Sequence, residues 1–83
     1  QMGQVYAVFR SRTQALDCAA RLKRFGIAAQ AVSSPREANA GCGLSARFAE
    51  ADFPRARKVV AQAGYSAFVG YCRAGAGYIR TVF

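Results

Sequence analysis

The chain sets out one layout twice. Phe9 closes an apolar run, a capping residue follows, an amphipathic pattern runs to Gly26, and a strand pattern comes next; from Phe48 the same order recurs through a cap, a second amphipathic pattern, Gly64 and another strand pattern. A β-α-β order repeated within 83 residues, with right-handed crossovers, predicts an α+β, ferredoxin-like split β-α-β fold (βαββαβ). Four antiparallel strands would then carry both helices on one face. The length predicts a single domain over 1–83, with a core at about 4–73 and a C-terminal extension, 74–83, of unassigned role.

Local chemistry sets the expected boundaries. Val5 to Arg10 is rich in Tyr, Val and Phe and reads as a strand; Ser11 can cap the following helix, with Gln14 three residues on. Ala15, Leu16, Ala19 and Leu22 recur at helical spacing, Asp17 and Arg21 lie four apart, and Gly26 suits a left-handed cap after Phe25. Ile27 to Ser33 is a second strand candidate, stopped by Ser34-Pro35, because proline restricts the residue before it. Leu44 to Ala49 alternates as a half-buried strand would. Asp52 can cap a second helix with Pro54 in its first turn and Ala56, Val59, Val60 and Ala63 on one stripe; Tyr65 to Arg73 is strand four. Leu16, Leu22, Phe25, Ile27, Leu44, Phe48, Val59 and Val60 are the expected core fillers.

Composition removes several classes of chemistry. No histidine occurs, which excludes imidazole-based hydrolases and His-containing metal sites, and the four acids do not suggest a carboxylate dyad. The three cysteines lie 24 and 30 residues apart without a C-x-x-C, so thioredoxin-like chemistry, zinc ribbons and a disulfide scaffold are not expected; no cofactor or metal is implied. Without a bilayer-length apolar run or a basic-then-apolar N-terminus, a cytoplasmic protein that does not enter membranes is expected. A net charge of +8, spread over the chain, attracts anions without choosing among them.

Cys42 is the most informative residue. Gly41 and Gly43 flank it after Ser33-Ser34-Pro35-Arg36-Glu37-Ala38-Asn39-Ala40, leaving the sulfur open and allowing loop amides to converge on an anion such as a thiolate, with Arg36 adding charge. Arg36 and Glu37 are expected to shape the loop, and Cys18 and Cys72 to be structural.

Phe9-Arg10-Ser11, Leu22-Lys23-Arg24-Phe25-Gly26-Ile27, Pro35-Arg36-Glu37 and Cys42-Gly43-Leu44 together resemble the selenium/sulfur carrier protein-like family, over roughly residues 4 to 73. The resemblance implies a carrier, not an enzyme, that accepts sulfane sulfur or selenium on Cys42 of its Cys-Gly pair as a persulfide or its selenium analogue. It would pass the atom between donor and acceptor enzymes. The stretch Ala38-Asn39-Ala40-Gly41 departs from the serine-bearing family pattern.

Two other readings stand beside it. A basic ferredoxin-like sheet with Tyr and Phe could bind nucleic acid, although Gly43-Leu44-Ser45-Ala46-Arg47-Phe48 lacks the paired aromatics of an RNA-recognition strand. A small-ligand or assembly domain with Cys42 incidental is the other. Tyr6, Val8 and Phe68, at the second parity of strands one and four, would line the sheet face opposite the helices and promote a homo-oligomer, unless residues 78–83 fold over that face.

Overall fold

A computed structural model of the chain describes residues 3–35, 42–75 and 78–82, with side chains described as far as residue 73. Strand β1 (Gln4–Phe9) leads into α1 (Arg12–Arg24), β2 (Gln30–Ser33) and β3 (Leu44–Ala49); a 3-10 turn at Glu50–Asp52 enters α2 (Phe53–Ala63), followed by β4 (Phe68–Gly75) and β5 (Tyr78–Val82). The sheet order is β2-β3-β1-β4-β5, with every neighbouring pair antiparallel. The first four strands and two helices form the ferredoxin-like split β-α-β arrangement. The tail extends it: Tyr78–Val82 pairs alongside β4, with Gly75 opposite Tyr78 and Tyr71 opposite Val82, as a fifth strand and not as a cover over the sheet. No helix among the described residues is long and apolar enough to cross a membrane.

The helix ends follow from their residues. Ser11 is the extended N-cap of α1, and its hydroxyl accepts the Gln14 N–H at 3.2 Å. Asp52 precedes α2 but makes no side-chain capping bond. Its backbone, at φ −91° and ψ 0°, comes out of the 3-10 turn instead of an extended segment, and Pro54 offers no N–H to accept; the carboxylate lies 3.7 Å from Arg55. Gly64 ends α2 at φ 65°, in the left-handed region that glycine enters without steric cost.

Strands β2 and β4 begin later than expected because the connecting residues are used otherwise. The Ile27 N–H donates back to Leu22 O at 3.0 Å, closing α1, and Ile27 and Ala29 are buried in the connection. Ahead of β4, the Ala67 N–H donates to Gln14 Oε1 at 2.8 Å, and the Gln14 amide donates to Ser66 Oγ at 2.9 Å. The Tyr65 hydroxyl donates to Asp17 at 2.6 Å while accepting from Arg21 at 3.1 Å. Asp17 and Arg21 also form the expected helical pair, 3.5 Å apart. One face of α1 thus fastens the α2–β4 connection through side chains.

The core lies between the sheet and the helices. Val5, Ala7, Phe9, Ala46, Phe48 and Tyr71 meet Ala15, Cys18, Ala19, Leu22, Ala56, Val59 and Val60, with Phe9 and Phe48 at most 1% exposed. Burying each large apolar side chain contributes about 1.5–3 kcal/mol. Leu16 and Phe25, expected inside, are about half exposed on the outer side of α1 and at its end, because the small Ala15, Cys18 and Ala19 take the inward positions.

On the opposite face, the expected patch of Tyr6, Val8 and Phe68 does not form. Val8 is 1% exposed, and Phe68 packs on the helix side, its ring 5.6 Å from Phe9 and 4.9 Å from Tyr71. The β1–β4 register shifts between Val8 and Phe9: Gly70 faces Val8 and Phe68 faces Phe9, so Val69 is the extra residue of a bulge. A bulge reverses the parity of the residues beyond it.

Candidate functional site

The carbonyl of Phe9 creates the position that Cys42 fills. The Arg10 N–H, in the same peptide, donates to Ala67 O on the β4 side at 2.8 Å, so the Phe9 oxygen points the other way, towards β3. The β1–β3 ladder ends at Val8 opposite Ser45, leaving that oxygen beyond the last pair. Cys42, two residues ahead of Leu44 and so of the same parity, arrives there and packs against the helix-side core.

Its Sγ lies 2.9 Å from Phe9 O and 3.3 Å from Leu44 O, and the Leu44 N–H donates to Sγ at 3.3 Å. A thiol has one proton, so it can serve one of the two carbonyls at a time. The expected sulfur, open on both sides, is instead half-buried and turned inward. Gly43, at φ 71°, holds a conformation that other residues enter at a cost, and no described residue beyond its chain neighbours lies within 4 Å of where its side chain would be. The residues beyond are pinned. The Ser34 N–H donates to Gly43 O at 2.8 Å, and the Ser34 and Ser45 hydroxyls meet at 2.5 Å, with Ser45 fully buried.

Of the expected site residues, Cys42 and Gly43 are thus brought against Phe9, Leu44 and the Ser34–Ser45 pair. Arg36, Glu37 and Gly41 lie outside the described residues. Phe9 and Leu44 contribute through the backbone, which leaves no mark in a residue pattern. Ser45 stood at the polar position of an alternating strand, and only its burial reveals a role.

The other two thiols sit in different surroundings. Cys18, 1% exposed, has its thiol pushed up to about 12, first by burial and then by the charge of Asp17. Cys72, on the opposite sheet face, is 3% exposed. No disulfide joins the three, and among the described residues no group of His, Cys, Asp or Glu could hold a metal ion.

Two arginines follow the Phe9 carbonyl that Cys42 meets. Arg10 and Arg12 are exposed on either side of the Ser11 cap, and the first turn of α1 contains no acid. The amides of that turn add the positive end of the helix dipole.

The family model described as "Putative Se/S carrier protein-like" matches residues 4–67. Neither the curated proteins nor the solved structures contain a match to the chain.

Proposed function

The chain belongs to this Se/S carrier protein-like family, whose match covers 4–67 of its 83 residues, and on that premise we propose that it accepts sulfane sulfur or selenium on Cys42 and delivers it to a partner enzyme. The observation that carries this is the position of Cys42. It has the one partly exposed thiol among the described cysteines, beside an open glycine and against the Phe9 carbonyl, which two arginines follow.

Loading is a thiol exchange and needs no external redox agent. The Cys42 sulfur attacks the outer sulfur of a donor persulfide, R–S–SH; the donor S–S bond breaks as the new one forms, giving Cys42–S–SH and R–SH. The attacking proton passes to the leaving thiolate, so atoms and electrons balance. Selenium follows the same course from R–S–SeH. Delivery is the reverse exchange with an acceptor thiol, and no dedicated proton-moving residue is required.

The inward rotamer belongs to the empty carrier. Its sulfur donates to a carbonyl, whereas the added atom of a persulfide anion can only accept and would meet two carbonyl oxygens. The loaded side chain therefore turns away from the two carbonyls, and Arg10, Arg12 and the first amides of α1, which follow Phe9 in the chain, favour its charge. Arg36 and Glu37 remain candidates for shaping the loop beside it.

Incubation with glutathione persulfide, or its selenium analogue, followed by intact-mass spectrometry tests this. One added chalcogen per chain is expected, mapped to Cys42 and absent in Cys42→Ser. Undiminished loading of Cys42→Ser, with the atom on Cys18 or Cys72, would reject it.

A further inference from the structure

The outer flank of α2 forms, with the segment leading into β4, a solvent-open groove of about 710 Å³. Its floor is aromatic: Tyr65, Phe68 and Tyr71, with Phe68 and Tyr71 edge to face at 4.9 Å. Its rim is cationic, from Arg57 and Lys58, and among the described residues no acid lines it. Helix α2 contains no acid at all, and the one acid of α1, Asp17, is engaged by Arg21 and Tyr65. Among the described residues neither Arg57 nor Lys58 has a carboxylate partner; the Arg57 guanidinium rests 5.6 Å over the Phe53 ring. Burial holds the Tyr71 hydroxyl protonated, its ionisation pushed up to about 12.

Phe9 joins this groove to the thiol. Its ring touches Tyr65 at 5.2 Å and Phe68 at 5.6 Å, while its carbonyl oxygen lies 2.9 Å from Cys42 Sγ. The groove floor and the thiol thus rest on opposite ends of one buried residue.

We propose that the groove docks an acidic peptide segment of the enzyme that exchanges chalcogen with Cys42. An aromatic or aliphatic side chain sits on Tyr65, Phe68 and Tyr71, and its neighbouring carboxylates meet Arg57 and Lys58. The partner's identity as an exchange enzyme rests on the carrier reading; the groove chemistry does not. The volume lies within the range of sites that enclose small groups, and a few anchored side chains of a peptide match it. Nucleic acid fits less well, since two rim cations make a short phosphate track and the floor rings, tilted against each other, give bases no stacking platform.

The test uses a fluorescein-labelled synthetic peptide with a pair of Phe residues set among Glu residues, read by anisotropy and by amide NMR shifts on the full chain. Controls are the same peptide with Gln for Glu, and a single-stranded RNA of matched charge. Binding is expected to weaken at least tenfold in Arg57→Glu/Lys58→Glu and less than threefold in Arg12→Glu/Arg24→Glu, with wild-type shifts centred on Tyr65, Phe68 and Tyr71. Equal losses in the two double variants, equal binding of the Gln peptide, displacement from these residues by the RNA, or no peptide binding would each overturn the proposal. Cys42→Ser should still bind the peptide, and Arg57→Glu/Lys58→Glu should still load from glutathione persulfide. A failure of docking is thereby separated from a failure of carriage.

Discussion

Alkylation of the native chain by iodoacetamide should divide its three cysteines by orders of magnitude. Cys18 and Cys72 are 1% and 3% exposed, so each reacts only after the surrounding core opens. A domain at the low end of protein stability, about 5 kcal/mol, would slow them about 5,000-fold relative to an unfolded chain if opening is global. The closed state adds nothing to the Cys18 rate, because its thiol is held protonated there, first by burial and then by the charge of Asp17. Cys42 needs only to leave its bond to Phe9 O or Leu44 O, about 1 kcal/mol for a hydrogen bond, which slows it about fivefold. The assay is peptide mapping by mass spectrometry at fixed pH, with the same chain in urea as the unfolded reference. Cys42 should be modified nearly completely before either neighbour reacts. Modification of Cys42 no faster than Cys18 would refute the assigned burial, and a rate equal to that in urea would refute the inward rotamer.

Other outcomes follow from contacts away from the sulfur. Tyr65→Phe removes a hydroxyl that both donates to Asp17 and accepts from Arg21, at a cost of about 1 kcal/mol; circular dichroism melts should fall by roughly 4–8 °C. Tyr65 and Tyr71 are both held protonated to about 12, each chiefly by burial, against 10 for an ordinary tyrosine. The unfolded chain then loses these protons first, so the tyrosine contribution to stability is intact below pH 10 and falls as pH rises from 10 through 12, after Cys18, raised from 9 to about 12, has begun the decline at pH 9; urea midpoints measured against pH should show that loss, which Tyr65→Phe should reduce. Gly43→Ala meets no neighbouring atom but must hold φ 71°, so it should lose about 1–2 kcal/mol in urea unfolding without new contacts in the structure of the variant.

Much of this architecture could be read from residue chemistry. Ser11, Gly26 and Gly64 punctuate the chain where the pattern placed them, since a capping hydroxyl or a left-handed glycine is a local requirement. The errors arose where a distant partner decided the outcome. Phe68 changed faces because of a bulge set by its pairing with β1, which alternation within β4 cannot reveal. Residues 65–67 were diverted from strand to connection by side chains of α1, about 50 positions away in sequence. The last residues gave a β-rich run with no sign of where it would pair. At the site, the Cys-Gly pair was visible, but the inward sulfur was not, because its partners are main-chain atoms of β1 and β3.

The Ser34–Gly43 hydrogen bond and the contact of Ser34 with the buried Ser45 act together as a drawstring, tied where the chain leaves β2 and returns to β3. The sulfur, one residue ahead of Gly43, is held by main-chain atoms of β1 and β3. Insertions or deletions between Pro35 and Cys42 should therefore leave the thiol where it is. Added length costs little, since doubling the number of residues between two joined points adds only about 0.6 kcal/mol. The chain therefore has a place where its sequence can change without rebuilding the surroundings of the thiol.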